Sequence, residues 1–250
     1  MNQKLVSIVT PTYNCELFIS LTIKSVLDQT YDNWEMLIID DYSTDNTSLK
    51  VYEFMKNDRR IQYHKLDSNQ GAAMARNYGV ERAKGEFIAF LDSDDLWSPE
   101  KLEKQISFME TNNYNFTCTD YDQIDESGNY IGKTIKAVKK ANYNRVLLDC
   151  PIGNSSVIYN AFYLGKVYTP NIRKRNDDAL WLKILKQEKF IYGFNERLMH
   201  YRIRKNSISR NKIELIKYHW ELYRKVEKLS VFKSIFHIAY WIIIKTLKIK

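Results

Sequence analysis

Apolar, β-branched runs of strand length alternate with helix-like segments through the first half of the chain, and this alternation limits the possible folds more than any other feature. The runs are Leu5–Pro11, Trp34–Asp40, Ile61–Lys65, Phe87–Leu91 and Asn115–Thr119. Helical patterns lie between them, at about 16–28, 47–56, 72–83 and 99–111. Alternation at this spacing is typical of a parallel sheet with helices on both faces. We therefore predict an α/β fold with a doubly wound, mostly parallel sheet.

A concentration of carboxylates follows the fourth run. Asp92, Asp94 and Asp95 come directly after Leu91, so they lie where a strand would end. Ligands of open α/β sheets bind beyond the carboxyl ends of the strands. Carboxylates this close repel one another unless a cation intervenes, and Mg²⁺ and Mn²⁺ prefer oxygen ligands. The residues therefore indicate a metal site, although a solvated turn that caps the helix after Pro99 would have the same pattern.

Length and cysteine content indicate one large intracellular domain. With 250 residues the chain can bury a substantial core and carry an appended element. Cys15, Cys118 and Cys150 lie far apart without CxxC spacing, and no signal-peptide pattern precedes Leu5. We therefore expect reduced, structural, cytosolic thiols and no zinc site.

The second half of the chain is less regular. Residues 121–150 contain a hairpin-like turn at Glu126–Asn129 and otherwise little apolar periodicity, so we expect a mobile flap or sheet edge there. Strands are predicted at Ser155–Tyr159 and Phe190–Phe194, with a helix at 177–186 between them. The basic segment Met199–Arg210 suits either phosphate binding or an ordinary basic helix start, and a long helical region follows it to the end.

Basic residues are concentrated at the C-terminus. Residues 196–250 contain 14 Lys and Arg against 4 Asp and Glu, and Ser234–Ile244 is a charge-free run of 11 residues. A membrane-spanning helix needs roughly 20 apolar residues. The aromatic and isoleucine-rich composition flanked by lysines favours a helix that lies on an anionic membrane surface. The alternative is a helix that packs its apolar side on the domain.

Several nucleotide-binding classes are excluded by the first turn. Pro11–Asn14 follows the first strand where a dinucleotide oxidoreductase would carry GxGxxG. No GxxxxGK[ST] motif of a P-loop NTPase occurs, and the glycine-rich first loop of sugar nucleotidyltransferases is missing. The sequence therefore does not support membership of any of these three classes.

Taken together, the polar segments resemble those of a known enzyme family. They are Pro11–Asn14, Asp40–Asp45, Gly71–Gly79, Asp92–Asp95, Asn176–Lys183 and Tyr201–Ser207. In this order they resemble the inverting glycosyltransferases of family 2, which have the GT-A fold. The likeness is strongest to bacterial cell-envelope sugar transferases that build teichuronic acid, capsule or O-antigen. It implies a GT-A domain at 1–210, with a donor half at 1–120 and an acceptor half at 121–210, followed by a basic helical region at 211–250.

The resemblance assigns roles to residues of the donor half. Pro11 and Ser93 would belong to the donor-binding segments, and Asp92 would face the ribose or the sugar. Asp94 would hold Mn²⁺ or Mg²⁺. For three further donor residues the resemblance implies one role and a structural role is the alternative. Tyr13 would lie against the base, or at the edge of the core. Asp41 would bind the base edge, or act as a cap, and Arg76 would line the donor pocket, or form a surface ion pair.

The resemblance also implies a general base in the second half. Asp177 matches the family's Asp, although the usual Glu-Asp pair reads Asn176-Asp177 here and Asp178 would take the role if the register slipped. Arg204 replaces a family histidine, and a guanidinium cannot ligate a cation, so we expect it to grip the diphosphate.

The implied reaction is transfer of a hexose from a UDP-sugar to a glycolipid or oligosaccharide acceptor at the inner face of the cytoplasmic membrane. We expect no nucleic acid partner. A catalytically inactive nucleotide-sugar-binding subunit of a polysaccharide assembly complex is the alternative.

Overall fold

The computed structural model describes residues 3–204 and 212–247. Its strands are β1 (Val6–Thr12), β2 (Trp34–Asp40), β3 (Ile61–Lys65), β4 (Phe87–Phe90), β5 (Leu96–Trp97), β6 (Phe116–Ile124), β7 (Tyr130–Ile135), β8 (Lys140–Ala141), β9 (Ile158–Asn160) and β10 (Ile191–Arg202). Its helices are α1 (Ile19–Leu27), α2 (Thr47–Met55), α3 (Ala72–Arg82), α4 (Lys101–Asn112), α5 (Tyr143–Leu148), α6 (Ala161–Leu164), α7 (Asn176–Ile184), α8 (Lys212–Glu221) and α9 (Val231–Leu247).

One mixed sheet organises the chain. The strand order is β3-β2-β1-β4-β9-β6-β10-β5, with β7 added beside β6 and β8 beside β10. Strands β1 to β4 are mutually parallel, and β6 is parallel to β10. Strand β9 is antiparallel to both of its neighbours, β4 and β6, and so joins the two parallel groups. The predicted α/β class with a mostly parallel sheet is confirmed.

Alternation of side chains along buried strands divides the core into two layers. In β1, Ile8 packs with Met36 and Ile38 on one face of the sheet, whereas Val9 packs with Leu37 and Ile39 on the other. Helix α3 lies so close to the second face that a Cβ added at Gly79 would be only 2.6 Å from Val9 Cγ1. Both layers therefore hold the strand ends of β1, β2 and β4 rigidly in place.

Predictions for the second half differ from the structure in extent. Of the two alternatives for residues 121–150, the sheet edge is present: β6 continues to Ile124, and a hairpin leads into β7, which pairs with β6 at the edge. Strand β10 does not stop at Phe194 but runs to Arg202, since its backbone pairs with β6 along this length. Met199 and His200 also pair with the short β5, which has too few residues to be recognised from its sequence. The remainder of the basic segment, 205–211, lies outside the described residues, as does the predicted domain boundary at 210.

The C-terminal region is two helices rather than one. Helix α8 continues into a π-helical turn at Leu222–Val226, and the chain then turns at Lys228, which has a left-handed φ of 54°. Helix α9 buries Ser234 and Trp241 and leaves its opposite face in solvent. In the described part of the chain no helix is long and apolar enough to cross a membrane.

Candidate active site

The loops after β1 and β2 are tied to each other at one end of the sheet. Asn14 and Tyr42 have left-handed φ values of 45° and 70°, which turn the chain sharply at each strand end. The amide of Asn14 donates to Ser43 Oγ at 2.9 Å, and Asn14 Oδ1 accepts from the Thr44 amide at 2.9 Å. Pro11 is buried in β1, whereas Tyr13 stands half-exposed above the strand end. The aromatic face of Tyr13 is therefore available to a ligand.

Asp41 holds the loop that leads into α3. Its carboxylate is buried and accepts the amides of Gln70 at 2.7 Å and Gly71 at 2.8 Å, while Asn69 Nδ2 donates to its carbonyl at 3.1 Å. A carboxylate can accept about four hydrogen bonds. Two of them are accepted from backbone amides here, so Asp41 could also accept a hydrogen bond from a base edge. Asp41 is therefore not a side-chain cap of α2 or α3 but holds the loop before α3, and its contact with a base edge stays a prediction.

The donor cluster, Asp92, Asp94 and Asp95, forms the turn after β4 that the sequence predicted. Asp95 is buried, with Oδ2 accepting from Ser155 Oγ at 2.6 Å and Oδ1 from the Arg202 amide at 3.0 Å. Asp94 stays partly open and pairs with Arg204 at 2.9 Å. The Ser93 carbonyl accepts the Thr22 hydroxyl at 2.8 Å, which fixes the turn to α1.

Burial raises the pKa of two carboxyl groups of this cluster. The pKa of Asp95 lies well above its usual range because of burial and then the charges of Asp94 and Asp92. Burial also raises the pKa of Asp92, against the guanidinium of Arg76, and the charges of Asp94 and Asp177 raise it further. The side chain of Asp92 is nevertheless about one third exposed, so solvent moderates the shift of its pKa. The shared field indicates that Asp177 lies near the donor cluster.

Arg76 joins the two halves of the site. Its guanidinium is almost fully buried and donates to Asp92 Oδ1 at 3.2 Å and to Asn176 Oδ1 at 2.6 Å. Asn154 Nδ2 donates to the same Asp92 oxygen at 2.8 Å. Arg76 therefore does not form a surface ion pair but a buried bridge between the turn after β4 and the start of α7, and its place in the donor pocket stays a prediction.

The acceptor cluster, Asp177 and Asp178, lies in the first turn of α7. Asp178 is buried, and its Oδ2 lies 3.0 Å from Arg175 Nε. Burial raises the pKa of Asp178 to about 6, and the charge of Asp177 adds to this, although Arg175 opposes it. Asp177 is only half-buried. Between the two candidates for the base, this geometry favours Asp177, because Asp178 is engaged within the protein.

Arg202 and Ser155 hold the site but were not among the site residues predicted from the sequence. Arg202 donates from Nε to the Asp94 carbonyl at 2.7 Å and from Nη1 to the carbonyls of Asp125 and Glu126. Ser155 Oγ accepts the Asp92 amide at 3.0 Å. These residues come from β10 and from the segment before β9, so only the sheet order brings them to the turn after β4. The sequence indicated Arg202 only as one member of the basic segment Met199–Arg210.

The carboxylates of the donor cluster fit a hard divalent cation. Within 3–204 and 212–247, Asp94 Oδ1 and Asp92 Oδ2 accept no hydrogen bond, so an oxygen of each remains for a ligand. No group of three or more His, Cys, Asp or Glu side chains with metal-binding geometry occurs among those residues. A cation held by Asp94 would therefore need further oxygens from a diphosphate and water, which Mg²⁺ commonly uses.

Comparison with known proteins identifies the family. Residues 7–168 match the family described as Glycosyl transferase family 2. The chain is 43% identical over 230 residues to a Bacillus subtilis (strain 168) protein named as the teichuronic acid biosynthesis glycosyltransferase TuaG, covering 92% of this chain and 91% of that one. It is also 43% identical over 224 residues to the Escherichia coli UDP-Glc:alpha-D-GlcNAc-diphosphoundecaprenol beta-1,3-glucosyltransferase WfgD, with coverages of 89% and 86%.

The fold has a counterpart among solved structures. Crystalline S. aureus TarS in complex with UDP-GlcNAc superposes with a TM-score of 0.71 at 20% identity, covering 87% of this chain and 65% of that chain. This likeness shows a shared GT-A fold. The family match and the curated relatives cover most of the chain, and the protein therefore belongs to glycosyl transferase family 2.

Proposed function

We propose that this glycosyltransferase moves a hexose, with inversion, from a UDP-sugar to a hydroxyl of a lipid-diphosphate-linked saccharide in bacterial surface polysaccharide synthesis. The observation that carries the proposal is the Arg76 bridge, because one guanidinium links Asp92 of the donor cluster to Asn176 beside Asp177. The E. coli relative is named for a UDP-glucose donor and a diphosphoundecaprenol-linked acceptor.

The residues divide the chemistry between them. Asp177 accepts the proton of the acceptor hydroxyl, whose oxygen forms a bond to the anomeric carbon while the bond from that carbon to the diphosphate oxygen breaks. UDP leaves with the bonding electrons, and Arg204 pairs with its diphosphate. Asp92 faces the sugar side, Tyr13 stacks on the base, and Asp41 accepts from the base edge. A Mn²⁺ or Mg²⁺ ion on Asp94, when bound, neutralises charge on the leaving diphosphate.

A panel of donors tests this function. Purified protein is incubated with UDP-sugars, Mn²⁺ and a lipid-diphosphate-linked acceptor, and released UDP and the anomeric configuration of the product are measured. We expect metal-dependent UDP release with one donor, a product of inverted configuration, and strong loss in Asp94→Ala. An inactive sugar-nucleotide-binding subunit would instead bind UDP without turnover. Absence of transfer from every donor, or undiminished activity of Asp94→Ala, would refute the proposal.

We further propose that α9 holds the enzyme on the inner face of the cytoplasmic membrane. One side of this helix packs on the protein through Ser234 and Trp241. The opposite side exposes a continuous apolar face: Phe232, Ile235, Phe236, Ala239, Ile242 and Ile243. Exposed Lys228 and Lys233 lie at its amino-terminal end. An apolar helix face bordered by basic residues suits the interface of an anionic bilayer.

Vesicle sedimentation tests the anchoring. Phe232 and Phe236 are 86% and 60% exposed, so a Phe232→Glu/Phe236→Glu variant should keep the fold and lose most of its binding to anionic vesicles. Phe162→Glu is the matched control, because Phe162 is 70% exposed on α6. Deletion of α9 is a poorer test, since it would uncover the residues against which Trp241 packs. Equal vesicle binding by all three proteins would contradict the anchoring.

A further inference from the structure

The residue before the base-bearing helix has an unusual conformation. Arg175 precedes Asn176 with φ 60° and ψ 21°, in the left-handed region that non-glycine residues seldom adopt. Such a backbone persists where surrounding contacts determine it. Here the contacts are made by the guanidinium group, so the side chain and the strained backbone belong to one arrangement.

Two partners hold that guanidinium. Its Nε lies 3.0 Å from Asp178 Oδ2, and its Nη2 lies 2.8 Å from His219 Nε2 on α8. An arginine only donates, so Nε2 of His219 accepts and the imidazole is neutral at this contact. Arg175 therefore connects the first turn of α7 to the C-terminal helices.

His219 is itself held in place by a contact with α9. It is buried, and its ring lies 4.5 Å, between centroids, from that of Trp241 on α9. The neighbouring Tyr223 donates its hydroxyl to the Leu147 carbonyl at 3.1 Å, which ties the same helical unit to α5. Arg175, Asp178, His219 and Trp241 all follow residue 168, so their contacts lie beyond the segment matched by the family, whereas Leu147 lies within it.

The contact that holds the Asp178 side chain also fixes which way the Asp177 side chain points. Successive residues of an α-helix point about 100° apart, so the two carboxylates of the first turn cannot face the same way. Arg175 draws Asp178 toward the C-terminal helices. Asp177 follows Asn176, which Arg76 joins to Asp92, so Asp177 is left on the side of the donor cluster.

We propose that Arg175 is a positioning residue for the reaction: it holds Asp178 against α8 through His219 and thereby aims Asp177 at the acceptor hydroxyl. The inference rests on the proposed role of Asp177 as the base. It assigns the C-terminal helices a part in turnover in addition to anchoring.

Steady-state kinetics of Arg175→Gln and Arg175→Lys test the role. We expect kcat of the Gln variant to fall about 10- to 100-fold with donor KM within about two-fold, because a misplaced base slows the chemical step more than it weakens binding. The Lys variant should recover part of the rate, since an ammonium can still pair with Asp178. His219→Ala should lower kcat in the same direction.

Lys174→Gln is the matched control. Lys174 joins the same loop to α8 by a 2.7 Å ion pair with Glu214, but its neighbour Arg175 alone reaches Asp178. The kcat of the Lys174→Gln variant should stay close to that of wild type. An equal loss of kcat in Lys174→Gln, or a change of KM without a change of kcat in Arg175→Gln, would overturn the positioning role.

Hydrogen exchange tests the tether without any substrate. Arg175→Gly suits the left-handed backbone, so it should fold even if the Gln variant does not. We expect faster exchange of the amides at 176–180 in Arg175→Gly than in wild type or Lys174→Gln. Unchanged exchange would refute the tether. A wild-type protein that transfers no sugar would refute the proposed function instead, so the two failures are distinguishable.

Discussion

The donor and acceptor clusters follow one plan with different supports. In each cluster a buried carboxylate binds the protein and an adjacent one stays open to the cleft: Asp95 beside Asp94, and Asp178 beside Asp177. The partners of Asp95 are Arg202 on β10 and Ser155 in the turn before β9. Arg175, the partner of Asp178, is held by His219 on α8, outside the sheet.

The difference teaches where the site can be adjusted. A strand end clamped by neighbouring strands has little freedom, because its backbone is hydrogen-bonded along the ladder. A helix start held by side chains of a peripheral helix can move with that helix. We therefore expect donor binding to be robust and acceptor activation to be the more sensitive step.

The largest expected effect separates the two carboxylates of the acceptor cluster. Asp177→Asn should lower kcat by about 10³-fold, within the range for loss of a general base. UDP affinity, measured by calorimetry, should remain within about two-fold because the donor cluster is intact. Asp178→Asn should lose far less activity, because Asp177 is retained. A reversed order would assign the base to Asp178.

The pH dependence of stability should reveal the buried member of that cluster. The pKa of Asp178 is about 6 in the folded protein, above its unfolded value, so the unfolded chain binds fewer protons between these values. The contribution of Asp178 to the free energy of unfolding should therefore fall by about 2 kcal/mol as pH rises from about 4 to about 6. Chemical denaturation of wild type and Asp178→Asn across this range measures it. Parallel pH curves for the two proteins would contradict the shifted pKa.

Removal of the bridge between the clusters should destabilise the protein. Arg76→Met leaves Asp92 and Asn176 without their shared donor. We expect the free energy of unfolding to fall by about 2 kcal/mol, which is less than for a fully buried ion pair because Asp92 is partly exposed. Arg82→Met on the same helix is the control, because its partner Glu81 is well exposed. Equal losses in the two variants would show that the bridge contributes nothing.

The smallest expected effect concerns the open member of the donor cluster. Arg204→Met should raise the dissociation constant of UDP about ten-fold through loss of a charge-assisted contact. Its effect on stability should stay under about 1 kcal/mol, because the pair with Asp94 is partly exposed. Calorimetric titration and denaturation measure the two quantities. Unchanged UDP affinity would remove Arg204 from the donor site.

Local pattern was enough to predict the first half of the fold. Strands β2 and β3 begin and end at the predicted residues, and the turn after β4 holds the carboxylates as expected. Each apolar run there is bounded by turn residues, so short-range signals coincide with the final structure. The second half lacks such boundaries. Pairing with β6 extended β10 to Arg202, and no local signal separates those residues from a helix start.

The C-terminal helix illustrates what two opposed interpretations missed. The sequence indicated either a helix on an anionic membrane surface or a helix packed on the domain. In the structure one side of α9 packs on the protein and the other side exposes apolar residues, so the two alternatives are compatible, and membrane binding stays a prediction. Hydrophobicity determines that a helix buries apolar surface, but it does not determine which side meets the protein.

The amino-acid sequence by itself determined the fold class, the family and the residue types of the site, since these depend on periodicity and motif order. Only the tertiary structure decided which carboxylate of each cluster is buried, that Arg76 bridges β4 and α7, and that Arg175 meets His219. Those contacts join residues between 3 and 100 positions apart, and their geometry depends on how the sheet and helices pack. A carboxylate and its neighbour look alike in sequence until packing assigns one to the protein and the other to the ligand.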